Sequence, residues 1–318
     1  MSKTIIFLTL FIFSCDYKSQ SEGSTDEVLI VASEKDRLLI EPYFEEIFNY
    51  NINTPQEEKI FNLIWIKPWD IKKFKKYFNI ILVSLAFPID STADILTKKY
   101  LSASNTDEKI FIREDVYSKN QTFMSISAHD IIDFKNVIDS NYEWIYKIFK
   151  QKYNNHMINY IYSKGLNTDL MNYINDEYQV SFDIQKDYIL LKEDKKNNFF
   201  WIGRGYPYRW ISYYKVELVD EYSFWDSYLL NTKTYMPQIE ISEYYRSKEK
   251  KINNDHINIY RGIYDHEISE SGGPFFVYEI KNLKKNEIYL LSGYVNYPGN
   301  RKINLLNGIE VLFESFKY

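Results

Sequence analysis

From residue 27 the chain alternates between two spacings of apolar positions. Residues 28–32 form a continuous apolar run of strand length, whereas residues 38–48 place Leu39, Tyr43 and Ile47 at helical intervals. Residues 61–66 predict a second strand. Residues 69–78 predict a short helix with Ile71, Phe74 and Phe78 on one side and Lys72, Lys73, Lys75 and Lys76 on the other. A third strand is expected over 80–86, and this β-α-β-α-β order favours a sheet covered by helices.

Further strands are expected at 109–113 and 122–127, followed by one long helix. Its apolar stripe runs through Ile131, Phe134, Ile138, Tyr142, Ile145, Phe149 and Tyr153; Ser127 with Asp130 reads as its cap and Gly165 as its stop. Beyond Gly165 the pattern turns to antiparallel β. A short helix at 170–173 precedes strands at 180–183, 188–192, 199–204 and 210–216, then a helical stretch at 222–235. Strands at 257–263, 275–280 and 288–295 follow, with turns expected at Gly272-Gly273-Pro274 and around 284–286. A closing helix carries Ile303, Leu306, Ile309, Leu312 and Phe313 inward. No repeat of fixed period is present. The expected fold is α+β in two halves: residues 27–164 with an N-terminal sheet covered by helices, and residues 165–318 with a mainly antiparallel sheet and flanking helices.

The first 26 residues follow other rules. Residues 1–14 read as an export signal, with Lys3 in a positive start and an apolar run over 5–13 interrupted only by Thr9. A bilayer-crossing helix needs about 20 apolar residues, so this run is too short to span. It ends in Ile12-Phe13-Ser14-Cys15, which resembles the bacterial lipobox, where the Cys receives lipid and the leader is cleaved. Cys15 is therefore the expected lipidation site, palmitate included, and residues 15–26 a polar, flexible tether. The expected setting is the cell envelope, as a periplasmic or outer-membrane lipoprotein held to a membrane through its N-terminal lipid.

Composition narrows the function. A net charge of −5 gives no general attraction to phosphate backbones, so nucleic acid is not expected as a partner. Cys15 is the only cysteine, which leaves no intramolecular disulfide and no thiol nucleophile in the body.

Several motifs then converge on one resemblance. Arg261-Gly262-Ile263-Tyr264, followed by Gly272-Gly273-Pro274-Phe275-Phe276-Val277-Tyr278, resembles the most recognisable stretch of the uncharacterised bacterial lipoprotein family called domain of unknown function 4837. Other matches fall in order: Pro55-Gln56-Glu57-Glu58 with Phe61-Asn62-Leu63, Gln121 after Asp115-Val116-Tyr117, Phe200-Trp201-Ile202 with Arg204, and Tyr294-Val295 with Tyr297-Pro298. The resemblance runs from the lipobox to the C-terminus. Tyr117 and Ser118 stand where the family tends to Trp and Ala, and Gly203 with Gly205 in a region usually richer in Arg. The resemblance implies localisation and a whole-chain domain, but no reaction.

No catalytic constellation stands out. Asp265-His266-Glu267 on a strand would split its side chains between two faces, so no metal site is expected among the four histidines. No Ser sits in a Gly-x-Ser-x-Gly elbow, and Pro207 after Gly203-Arg204-Gly205 would disrupt a phosphate-binding helix start. No cofactor is expected. Two surfaces remain. Lys72 to Lys76, flanked by Trp65 and Trp69, can rest on anionic head groups or form an ordinary solvated face. Trp201, Arg204, Tyr208, Arg209 and Trp210 combine flat rings with guanidinium groups and are the candidate ligand-binding residues. The leading expectation is an anchored binding or assembly protein of unknown biochemical role, with an envelope protein or glycan as partner. The alternative is an enzyme acting on cell-wall or surface glycans.

Overall fold

The computed structural model describes residues 18–53, 56–86, 91–104, 108–219, 221–251, 256–269 and 271–318; the leader and Cys15 lie outside the described residues. The chain divides into two compact units. One takes the described residues of 18–41 and 63–140, the other Pro42–Asn62 and Asn141–Tyr318. The fold is mixed: a mixed sheet with helices in the first unit and an antiparallel sheet with helices in the second.

In chain order the first elements are β1 (Glu27–Val31), α1 (Glu34–Ile47), β2 (Asn51–Asn53), β3 (Glu57–Lys59), β4 (Asn62–Ile66), α2 (Ile71–Phe74), β5 (Asn79–Leu85), α3 (Ser91–Ser104), β6 (Ile110–Glu114), β7 (Thr122–Ala128) and α4 (Ile131–Asp139). The sheet of the first unit has the order β4-β1-β5-β7-β6. β1 and β7 flank β5 in parallel, and β6 runs antiparallel to β7. Every residue of β5 is buried, as a central parallel strand with both faces covered requires. Leu29, Val31, Ile80, Leu82 and Phe123 make one core face, packed by Phe74, Leu96, Tyr100 and Tyr117.

Several expectations are corrected here. Residues 20–26 do not hang free: Glu22 N donates to Lys76 O at 2.8 Å, Phe78 N to Glu22 O at 3.1 Å and Lys119 N to Ser19 O at 2.9 Å, so backbone bonds fix a stretch with no apolar anchor. The helix expected over 69–78 is a 3-10 turn at Pro68–Asp70 and the four residues of α2; Lys72 and Lys73 are exposed, and Lys73 pairs with Asp70 at 2.7 Å. The long helix expected through Tyr153 is broken. Asp130, not Ser127, caps α4, accepting from Asp133 N at 2.8 Å. Ser140 Oγ returns to Asn136 O at 2.9 Å and closes α4, because short polar side chains compete for the backbone. The units part at this break, whereas the sequence pattern changes near residue 165.

The second unit continues with α5 (Tyr142–Ser163), α6 (Thr168–Tyr178), β8 (Ile189–Asp194), β9 (Phe199–Arg204), β10 (Tyr208–Glu217), α7 (Phe224–Tyr235), β11 (Ile239–Ile241), β12 (Ser247–Lys250), β13 (Ile257–His266), β14 (Ser271–Asn282), β15 (Glu287–Asn296) and α8 (Ile303–Phe313). Its sheet has the order β11-β13-β14-β15-β10-β9-β8, with β12 also paired to β13. Both faces are covered. Phe199, Trp201, Tyr214, Tyr260, Phe275 and Leu290 pack with Phe224 and Tyr228 of α7. On the other face Phe276 and Tyr278 meet Phe313 of α8, and Phe200 meets Tyr178 of α6. Residues 180–183 form no strand; Ser181 makes one isolated bridge, to Lys317.

Gly272-Gly273-Pro274 is not a turn but the start of β14, with Gly273 opposite Tyr264 and Pro274 opposite Ile263. A Cβ on Gly273 would stand 1.9 Å from the Val295 carbonyl oxygen, a collision with backbone that no rotamer relieves. The glycine therefore answers to strand packing. Gly273→Ala is expected to destabilise the second unit by at least about 3 kcal/mol in urea unfolding. Gly205→Ala, where an added Cβ meets nothing within 4 Å, should stay within about 0.5 kcal/mol of wild type.

Candidate functional site

The five residues singled out from sequence do not form one site. β9 and β10 pair antiparallel, with Arg204 opposite Arg209 and Gly203 opposite Trp210. Strand alternation then sends Trp201, Tyr208 and Trp210 to one face and both arginines to the other. Trp201 is buried in the core beside Phe199 and Tyr214. Trp210 stacks on His266 at 5.4 Å, which gives that histidine a packing partner. Tyr208 stays exposed, stacked on Trp210 at 6.1 Å.

A cavity of about 270 Å³ in the second unit brings together residues that no local motif joins. Lys150 and Asn154 reach it from α5, Arg261 from β13, Tyr278 from β14, and Asn307 and Glu310 from α8; Tyr50 and Glu249 complete it. The helices contribute through their period: Lys150 with Asn154 and Asn307 with Glu310 stand one turn apart and share a face. On the strands, Arg261 lies opposite Phe276, on the sheet face that α8 covers.

Arg261 holds the cavity's polar groups in place. Its Nε donates to Glu249 Oε1 at 2.8 Å and its Nη2 to Glu310 Oε1 at 2.6 Å; its Nη1 is buried without a partner. Tyr278 Oη also donates to Glu310 Oε1, at 3.3 Å. Lys251 pairs with Glu314 at 2.7 Å. Lys150 donates to the neutral Asn307 Oδ1, and Asn307 Nδ2 donates to Asn154 Oδ1 at 3.2 Å. Among the described residues no carboxylate pairs with Lys150.

Electrostatics follow from this geometry. Burial lowers the Lys150 ammonium to about 8, with the Arg261 charge pushing the same way and Glu310 opposing. Burial alone would raise the Glu310 carboxyl, yet Arg261 and then Lys150 outweigh it and hold it below the usual carboxylate range. Burial pushes Tyr50 up to about 12. The cavity therefore contains a fixed carboxylate, a fixed guanidinium and an amine that gives up its proton easily. No group of His, Cys, Asp and Glu able to hold a metal ion occurs among the described residues.

Two titrations report on this network. Glu310→Gln should cost about 3–5 kcal/mol at neutral pH, because it strips Arg261 of a buried partner. A depressed carboxyl contributes stability that is complete above its ordinary value of 4.5 and is lost as pH falls below it, so the variant should show a shallower acid limb. Lys150 has the opposite sense. With about 8 folded against 10.5 unfolded, the penalty for burying its charge is full below pH 8 and fades towards 10.5. Wild-type stability should therefore gain a component that rises across that window and is missing from Lys150→Met, read by urea unfolding at each pH.

Comparison with known proteins places this cavity across two described regions. Residues 167–315 match the family described as Domain of unknown function (DUF4837), and residues 21–162 match a different one, Domain of unknown function (DUF8532). The resemblance expected to run the whole chain is thus confined to its second part, and Lys150 falls in the other match. No curated protein matches the chain. Among solved structures, the crystal structure of the Saccharomyces cerevisiae Ran-binding protein Mog1p gives a TM-score of 0.30 at 8% identity, covering 43% of this chain and 89% of that one. A mutant of protein Mog1 gives 0.29 at 8% identity with the same coverage. Likenesses this loose carry no inference about function. Residues 167–315, with Arg261 and Glu310 among them, constitute a domain of unknown function.

Proposed function

We propose that the protein is a lipid-anchored envelope protein whose second unit binds a small acidic ligand in the cavity around Lys150 and Arg261. The observation that carries the binding is Lys150, an ammonium lodged in a polar cavity with only a neutral amide as hydrogen-bond acceptor. A ligand carboxylate beside it would supply the missing counter-charge, and Asn154 and Asn307 offer amides to neighbouring hydroxyls. An acidic sugar unit of an envelope glycan fits this chemistry, and the cavity volume suits a ligand of that size.

The anchor is supported by Ile12-Phe13-Ser14-Cys15 behind a short apolar leader. No described helix is long and apolar enough to cross a membrane. Binding is favoured over glycoside hydrolysis because the acid of such an enzyme needs a raised carboxyl value. Glu310 is held low instead, and it shares one guanidinium with Glu249.

Radiolabelled palmitate is expected to mark wild type and not Cys15→Ala; equal labelling and equal membrane retention of the variant would remove the anchor. In calorimetry, glucuronate should bind wild type at least about tenfold more tightly than Lys150→Met, and glucose should bind wild type more weakly than glucuronate does. Equal glucuronate affinity in wild type and variant would remove the binding site.

A further inference from the structure

The first described residues are bound to the first unit beside a group of lysines. Glu22 makes two backbone bonds there, its N–H donating to Lys76 O at 2.8 Å and its carbonyl accepting from Phe78 N at 3.1 Å. Ser21 Oγ meets Ser118 Oγ at 2.9 Å, Lys119 N donates to Ser19 O at 2.9 Å, and Lys18 Nζ donates to the Asp115 carbonyl. Cys15 lies three residues before Lys18, a length of chain that spans at most about 11 Å when fully extended. A lipid on Cys15 therefore keeps this side of the first unit close to the bilayer.

The side chains beside that attachment point suit such a position. Ile71 is buried and Phe74 packs on the core, so the helical period turns Trp69, Lys72, Lys73 and Lys76 outward. Trp69 is 60% exposed, with Lys67 Nζ 5.4 Å from its ring centroid. Lys73 pairs with Asp70 at 2.7 Å and Lys76 with Glu22 at 3.8 Å. Lys72 and Lys75, both exposed, form no ion pair among the described residues. The chain as a whole carries a charge of −5, so this surplus of cations is a local feature.

We propose that this face of the first unit rests on anionic phospholipid head groups next to the anchor. The inference builds on the lipid anchor proposed above and adds the orientation of the body and the class of lipid that recognises it. Exposed charges act across roughly one Debye length, about 8 Å at physiological salt, and the short reach from Cys15 holds the lysines near that range. Tryptophan flanked by lysine is a side-chain pairing that settles at a membrane interface. The acyl chains supply the affinity, and the lysines decide which side of the unit faces the bilayer.

The test uses the chain from Cys15 onward, which keeps every described residue. Cys15 is the only cysteine, so it couples at one position to a maleimide-bearing lipid, whether or not the cell lipidates it. Vesicles of phosphatidylglycerol and phosphatidylcholine, brominated near the head group, should quench tryptophan emission. Trp69→Phe should remove most of that quenching, which assigns it to one of the six tryptophans. Pure phosphatidylcholine, molar salt, or Lys72→Glu with Lys75→Glu should each lower it at least about threefold. Lys284→Glu with Lys285→Glu, in the exposed turn after β14, should leave it unchanged. Equal quenching on phosphatidylcholine, or in the folded Lys72 and Lys75 double variant, overturns the proposal, as does quenching that survives Trp69→Phe. Because the coupling is chemical, an absence of palmitate labelling in cells would remove the anchor without altering this measurement, so the two failures are distinguishable.

Discussion

The constraint on which the second unit depends is that its large antiparallel sheet is covered on both faces. A sheet with one wet face can place polar residues at every second position; this one cannot. α7 closes one side against Phe275 and Tyr260, and α8 closes the other against Phe276 and Tyr278. Any charged residue inside such a strand must find a partner or be left in deficit. Arg261 finds two, Glu249 and Glu310, and is thereby built into the fold.

The cavity shows how a buried network becomes chemically poised. Glu249 and Glu310 stabilise the Arg261 charge, and Arg261 in turn keeps Glu310 ionised. Lys150 is excluded from these pairs, and burial weakens its hold on a proton. Buried ion pairs contribute little net stability once desolvation is counted, but breaking one is costly. The network therefore fixes positions more than it adds stability, which is what a preorganised ligand seat requires.

Much of the fold was legible in local pattern. The strand expected at 199–204 is β9, and the apolar runs at 28–32, 80–86 and 288–295 match β1, β5 and β15 within about a residue or two at each end. Missing elements have physical reasons. Among the described side chains of α3, Ala93, Leu96 and Tyr100 pack inward between Thr and Lys residues, so the helical period is diluted. β11 and β12 are three and four residues long and are stabilised by pairing to β13 rather than by their own composition. Gly272-Gly273-Pro274 resembles a turn because glycine and proline favour turns. Their role in β14 depends on the neighbouring Val295 carbonyl, which local sequence does not place.

By itself the sequence determined that a short apolar run precedes Cys15, that two differently patterned halves follow, and that aromatic and guanidinium side chains concentrate between Trp201 and Trp210. The tertiary structure decided what those residues share. The period of a strand is two, so the hairpin of β9 and β10 divided one apparent cluster into a packed aromatic face and an arginine pair. It also brought Lys150, Arg261 and Glu310 together from 160 positions of chain. Their only local trace was polar residues one helical turn apart in α5 and α8. Spacing along a chain fixes which face a side chain takes, and only packing fixes what it meets there.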